Sequence, residues 1–329
     1  MSVQPAERAQ AQDLLARAGA YSAGQQQAQT AMIAAAVAAY LAIDMRNPVG
    51  SWVAGIGQRI FVYLSMVQQF AAEDAWRYVQ DMLVLQDLDP AGSPRINPRT
   101  FAGIASDGRD LESLLAGTVV RLRAAQDEGK SLAEARRAGE MWLRMILATQ
   151  ASDQARAAES VSIASAAPTR DGKKVAVGWV RMLTPPSCGR CVVLAGKFYR
   201  WNAGFQRHPM CDCRHIPVTV AGAAPLLTDP MVYFDALSTD EQDQLFGKGP
   251  AQAIRDGADI NQVVNASRKG SMFTADGGRR FTREGMTRRG LAGQRAGRVL
   301  RPTPLQIYRD ANGNREEALA ALKRFGYLL

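Results

Sequence analysis

Cys188-Gly189-Arg190-Cys191 and, past residues 192–207, His208-Pro209-Met210-Cys211-Asp212-Cys213-Arg214-His215 hold every cysteine and histidine of this 329-residue chain. Soft-ligand side chains gathered in one window point to a bound metal, paired disulfides or a redox pair more than to packing alone. Cys188-x-x-Cys191, with Gly189 easing the turn, has the spacing of a zinc knuckle, in which two thiolates converge on one tetrahedral ion. If 211–215 is extended, Cys211, Cys213 and His215 project from one face, and Asp212 and Arg214 from the other. His208 lies three residues before Cys211, and Pro209 stiffens the approach. The expected ligand set is the four thiols Cys188, Cys191, Cys211 and Cys213 around one structural Zn. His208 and His215 are alternative ligands, or groups that hydrogen-bond the ligands. Two disulfides and an inert buried thiol cluster stay open as alternatives. A catalytic metal is disfavoured, because it needs an open coordination position and a nearby base, and only Asp171 and Asp212 are close in sequence.

Upstream of this window the chain reads as helices. Pro5–Ala18 and Ala28–Met45 have helical spacing, and Asn47-Pro48-Val49-Gly50 punctuates the chain after them. From Val53 to about Leu85, Ile56, Ile60, Tyr63, Leu64 and Val67 repeat at three and four residues. Asp87–Asp110 is a Pro-, Gly- and Asp-rich loop. Helical periodicity resumes over Leu111–Glu128 and Leu132–Ala157, the latter opened by the capping box Ser131/Glu134. The texture changes at Pro168–Gly172. Lys174–Arg181 and Ile216–Val220 read as strands on either side of the Cys/His window. Thr239–Asn265 is helical in pieces broken near Gly247–Pro250 and at Gly257, and Thr303–Phe325 is a last helix with an apolar docking tail. The fold class is therefore α+β, with a mainly helical N-terminal half, a small Cys/His-rich α+β module and a helical, partly flexible C-terminal region. The expected division is 1–165, 166–222, 223–267, 268–302 and 303–329.

Net charge is +9 and it is localised. Arg268, Lys269, Arg279, Arg280, Arg283, Arg288, Arg289, Arg295, Arg298 and Arg301 are opposed between 268 and 301 only by Asp276 and Glu284. A concentrated positive field of this kind attracts polyanions, so all of these residues except Arg301 are the candidate nucleic-acid contacts. Seven glycines lie between Gly270 and Gly297, a composition expected to stay mobile. Residues 1–30 lack a basic start followed by an apolar run, so no secretory leader is expected. Ala31–Ile43 is too short to span a bilayer, and a reducing cytosol is the expected site of synthesis.

The order of a long helical region, Trp179-Val180-Arg181, Cys188-x-x-Cys191, Leu194-Ala195-Gly196 and His208-Pro209-Met210-Cys211-Asp212-Cys213 resembles the Mu F-type minor head, or head-morphogenesis, proteins of tailed bacteriophages. Glu241-Gln242-Asp243, Phe246-Gly247-Lys248, Ala253–Asp259 and Val263-Val264-Asn265 resemble the version found in phages of actinobacteria. The core of the likeness covers about residues 140–220. The chain departs from the family pattern at Leu183–Ser187, where an acidic residue is usual, and at Met210 and Asp212, where Asn and Arg are usual. The resemblance implies a low-copy protein of the virion, in the capsid interior near the portal vertex. It implies binding to the portal protein, with the major capsid or scaffold protein as further partners, and a role in head assembly, DNA packaging or genome delivery. It implies no enzyme activity. From charge alone, the 268–302 segment is expected to touch packaged DNA non-specifically. Two other readings compete. One is a zinc-ribbon-like DNA-binding module. The other is a capsid maturation protease, disfavoured because no GxSxG elbow is present and both histidines lie inside the Cys window.

Overall fold

The structure is a computed structural model that describes residues 5–211, 213–275, 277–287, 290–297 and 299–328. In chain order its elements are α1 (Pro5–Leu41), α2 (Pro48–Ser51), α3 (Gly57–Val84), α4 (Leu111–Asp127), α5 (Leu132–Ser165), β1 (Thr169–Arg170), β2 (Lys173–Lys174), β3 (Val177–Met182), α6 (Gly189–Ala195), β4 (Phe198–Arg200), β5 (Arg214–Thr219), α7 (Pro230–Asp235), α8 (Thr239–Phe246), α9 (Lys248–Arg255), α10 (Ile260–Ala266), β6 (Met272–Ala275), β7 (Arg279–Thr282), α11 (Leu291–Ala296), β8 (Arg301–Pro302), α12 (Pro304–Asp310) and α13 (Arg315–Arg324). This is the expected class: a mainly helical N-terminal half, a small Cys/His-containing α+β region and a mixed, largely helical C-terminal region. None of the described helices is long and apolar enough to cross a membrane.

The chain divides into two units. The first comprises residues 1–182 and 198–226, the second 183–197 and 227–329. In the first unit, α1, α3, α4 and α5 pack around two apolar clusters. One joins Leu14, Tyr21, Tyr78, Val79 and Met82 to Trp179, Val180, Ile216 and Val218 of the sheet. The other is built from Tyr40, Ile60, Leu64, Leu115, Leu122, Leu143 and Leu147. Ile60 and Leu64 are fully buried, as their helical spacing requires. The sheet places β3 between β4 and β5, antiparallel to both, with Trp179 opposite Tyr199 on one side and Pro217 on the other.

Residues 5–41 form one helix, not the two expected. The Gly/Gln stretch between Ala18 and Ala28 contains no proline, and Gln25 within it and Gln29 just beyond it find partners. Gln25 donates to Asp74, and Gln29 to the carbonyl of Ala148. A buried glutamine such as Gln25 that is hydrogen-bonded does not interrupt a helix. Ser131 and Glu134 make the expected capping box, and α5 runs on to Ser165.

The second unit gathers Phe234, Ile254, Val263, Ile307, Leu322 and Tyr327 into its core. The basic 268–302 stretch, expected to be mobile, carries an antiparallel sheet in the order β6-β7-β8. Phe273 sits opposite Phe281, and their rings stack at 5.9 Å. Composition misled here because part of the core is a charged side chain. Arg301 is fully buried, donates to the carbonyls of Phe325 and Glu284 and lies 3.9 Å over the Tyr327 ring. The expected final helix is broken into α12 and α13 at Asn312-Gly313, both in the left-handed region. The apolar tail docks as expected, with Tyr327 buried and its hydroxyl donating to the Pro302 carbonyl.

Candidate metal centre

Cys188 caps the N-terminus of α6 and Cys191 lies in its first turn, so the first cysteine pair is presented by a helix rather than a free knuckle. Gly189 serves packing here: a Cβ at that position would stand 2.5 Å from the Phe246 ring. Cys211 and Cys213 flank Asp212, which lies outside the described residues, and β5 begins at the residue after Cys213. Cys191, Cys211 and Cys213 are buried, Cys188 is half-buried and His208 is exposed.

The ligand atoms of Cys188, Cys191 and His208 lie within 4.8 Å of one another, and so do those of Cys191, Cys211 and Cys213. The sulfur–sulfur edge of a zinc tetrahedron is about 3.8 Å. These groups could hold a metal ion such as Zn, and their soft donors and burial suit that ion. Cys191 is common to both, and His208 belongs with Cys188.

His215, the other proposed alternative ligand, is engaged elsewhere. It is fully buried. Its Nδ1 lies 2.5 Å from Glu159 Oε2, its backbone N–H donates to the same oxygen at 3.2 Å, and Nε2 lies 3.4 Å from Ser160 Oγ. Its ring meets Trp179 edge-on at 4.4 Å. Strand alternation predicts that Arg214 points to solvent, yet it too is buried and donates to the Ser152 carbonyl. Both faces of β5 are covered, so alternation there separates two buried environments instead of core from water.

Asp153, Arg156 and Glu159 of α5 bring charged groups to the 207–215 stretch, and Arg181 of β3 lies opposite His215. Burial would raise the Glu159 carboxyl, but the hydrogen bond and charge of His215, the charge of Arg214 and the Tyr21 hydroxyl hold it below its usual value. Burial pushes His215 below the usual imidazole value, outweighing the pull of Glu159. An ionised carboxylate only accepts, so Nδ1 of a neutral His215 carries the proton. Tyr21 donates to Glu159 at 2.8 Å. Burial, with the charge of Glu159 behind it, lifts the Tyr21 hydroxyl well above its usual value. Burial likewise opposes ionisation of Asp153, but the hydrogen bond from Arg207 and the charge of Arg156 lower it. None of Asp153, Arg156 and Glu159 stood out in the sequence, because charges at three-residue spacing read as a solvated helix face.

The candidate nucleic-acid residues separate into different environments. Arg279 pairs with Asp310 and Arg268 with Glu284, while Arg295 donates to the Leu328 carbonyl. Lys269, Arg280 and Arg283 are exposed. Arg288, Arg289 and Arg298 lie outside the described residues. Buried Arg301 is part of the core and not of a polyanion surface.

Fold and site together define an α+β chain with a candidate thiolate–imidazole metal centre. No family model, no curated protein and no solved structure matches it.

Proposed function

We propose that this chain is a minor head protein of a tailed bacteriophage, held in shape by one structural Zn, that binds the portal protein during head assembly, DNA packaging or genome delivery. The observation that carries this reading is the Cys/His window. Cys188, Cys191, His208, Cys211 and Cys213, the residues on which the family resemblance rests, supply ligand atoms in two overlapping groups. Four donors drawn from these five residues would close a tetrahedral sphere, the arrangement of a structural site.

The long helices of the first unit supply a surface for a protein partner. Val62, Met66 and Phe70 stand at i, i+4 and i+8 on α3 and are 41, 64 and 50 % exposed. Apolar side chains aligned in this way on a helix suit a protein interface. The exposed basic residues of the second unit suit non-specific contact with packaged DNA, and the virion interior is the location that fits both partners. The test is co-expression with a tailed-phage portal protein and capture through a tag on the portal. The expected result is a complex of fixed stoichiometry that is also present in procapsids. Absence of the chain from both portal complexes and particles would remove this reading.

A further inference from the structure

The loop that carries His208, Cys211 and Cys213 is fastened along one face of α5. Thr149, Asp153 and Arg156 stand at i, i+4 and i+7 on that helix, a spacing that aligns side chains on one face. Thr149 Oγ1 accepts the backbone N–H of Met210 at 3.1 Å, at a residue whose φ is +61°. Asp153 Oδ1 accepts from Arg207 Nε at 2.5 Å and from Arg156 Nη2 at 2.6 Å. Arg156 Nη1 in turn donates to the carbonyl oxygens of both Cys211 and Cys213, at 2.7 and 3.1 Å. The residue before His208, the turn at Met210 and both cysteines are thus tied to the same two turns of helix.

Burying a guanidinium is costly unless it is paired, and Arg156 is 3 % exposed. Its single carboxylate partner, Asp153, is shared with Arg207. Nothing in apolar packing requires two cations on one buried acid beside a cysteine pair. A Zn²⁺ ion bound by the three thiolates of Cys191, Cys211 and Cys213 would carry net negative charge, which such a pair of guanidiniums offsets.

We propose that Asp153 and Arg156 are positioning residues for metal binding: they fix the backbone of Cys211 and Cys213 so that both thiols are held in place for the ion. This rests on reading the Cys/His centre as a metal site. Groups that hold ligands in place typically account for about 10- to 100-fold in metal affinity.

The experiment compares the full-length wild type with Arg156→Met and Asp153→Asn. Zinc affinity is read by competition with a chromogenic chelator, and ligand geometry by the visible spectrum of the Co²⁺-substituted protein. The expected result is zinc affinity about 10- to 100-fold weaker in each variant, with the Co²⁺ bands shifted or weakened and the helical circular dichroism retained. A role in folding alone would lower the melting temperature and leave the Co²⁺ spectrum as in the wild type. If Arg156→Met fails to fold, the nearly isosteric Asp153→Asn decides the matter by itself. Wild-type affinity and spectrum in a folded variant would overturn the proposal while leaving the metal reading intact. A wild-type chain that takes up neither zinc nor cobalt would remove both.

Discussion

One oxygen of Glu159 accepts two hydrogen bonds from His215: Nδ1–H at 2.5 Å and the backbone N–H at 3.2 Å. A single carboxylate thereby fixes both the ring and the main chain of β5 against α5. The Tyr78 hydroxyl closes the other side by donating to the His215 carbonyl. Removing one member of a buried, hydrogen-bonded charged network costs about 3–5 kcal/mol. Glu159→Ala is expected to lower stability by that amount in urea denaturation, with Glu159→Gln costing less. A change below 1 kcal/mol would show that β5 is held by its apolar neighbours alone.

Asp256 plays the corresponding part in the second unit. It accepts from Tyr308 at 2.6 Å and from Arg315 at 2.9 Å. Burial alone would raise its carboxyl, but the hydrogen bonds from Tyr308, Gln252 and Arg315 hold it below the usual 3.8. A carboxyl lowered on folding contributes stability that is complete above the unfolded value and is lost as pH falls through the folded one. Asp256→Asn is expected to cost about 1.5–3 kcal/mol at pH 7. It should also flatten the part of the acid denaturation curve below pH 3.8. Identical acid limbs in mutant and wild type would contradict this assignment.

The basic segment predicts unequal effects of its arginines. Lys269, Arg280 and Arg283 are exposed, and each phosphate contact adds about 0.9 to the slope of log affinity against log salt. Replacing all three with Gln should lower that slope by up to about 3 in filter binding without changing the melting temperature. Arg301→Met should instead destabilise the unit, because it orphans the carbonyls of Phe325 and Glu284 that the guanidinium now satisfies. The reverse pattern would place the polyanion surface elsewhere.

On α3, Met66→Ser with Phe70→Ser is expected to weaken capture by the portal protein at least tenfold. Stability should move by about 0.5 kcal/mol or less, as usual for exposed positions. Undiminished capture would exclude this stripe from the interface.

The sequence signals that worked were those tied to local geometry. The capping box at Ser131/Glu134 and the apolar rows of α3 and α4 depend on a few neighbouring residues, and the structure has them as read. The Cys/His window was legible because six soft ligands in one stretch need a common cause. The polar stripe of α5 was not. Asp153, Arg156 and Glu159 acquire their meaning from residues more than 50 positions away. A helix periodicity cannot distinguish a solvated charged face from one buried against a charged strand. The same limit applied to 268–302, where a buried Arg301 and a Phe273/Phe281 pair supply core that Gly/Arg composition concealed. His215 was assigned to the cysteines by proximity in sequence, whereas its side chain turns to α5.

The most direct test of the account is the metal content of the chain, purified under reducing conditions, with the Cys191→Ser variant alongside. Cys191 is the residue shared by both ligand groups, so the account predicts about one zinc per wild-type chain and loss of most of it in the variant. Wild-type protein that is folded, fully reduced and free of zinc after refolding in its presence would contradict the account.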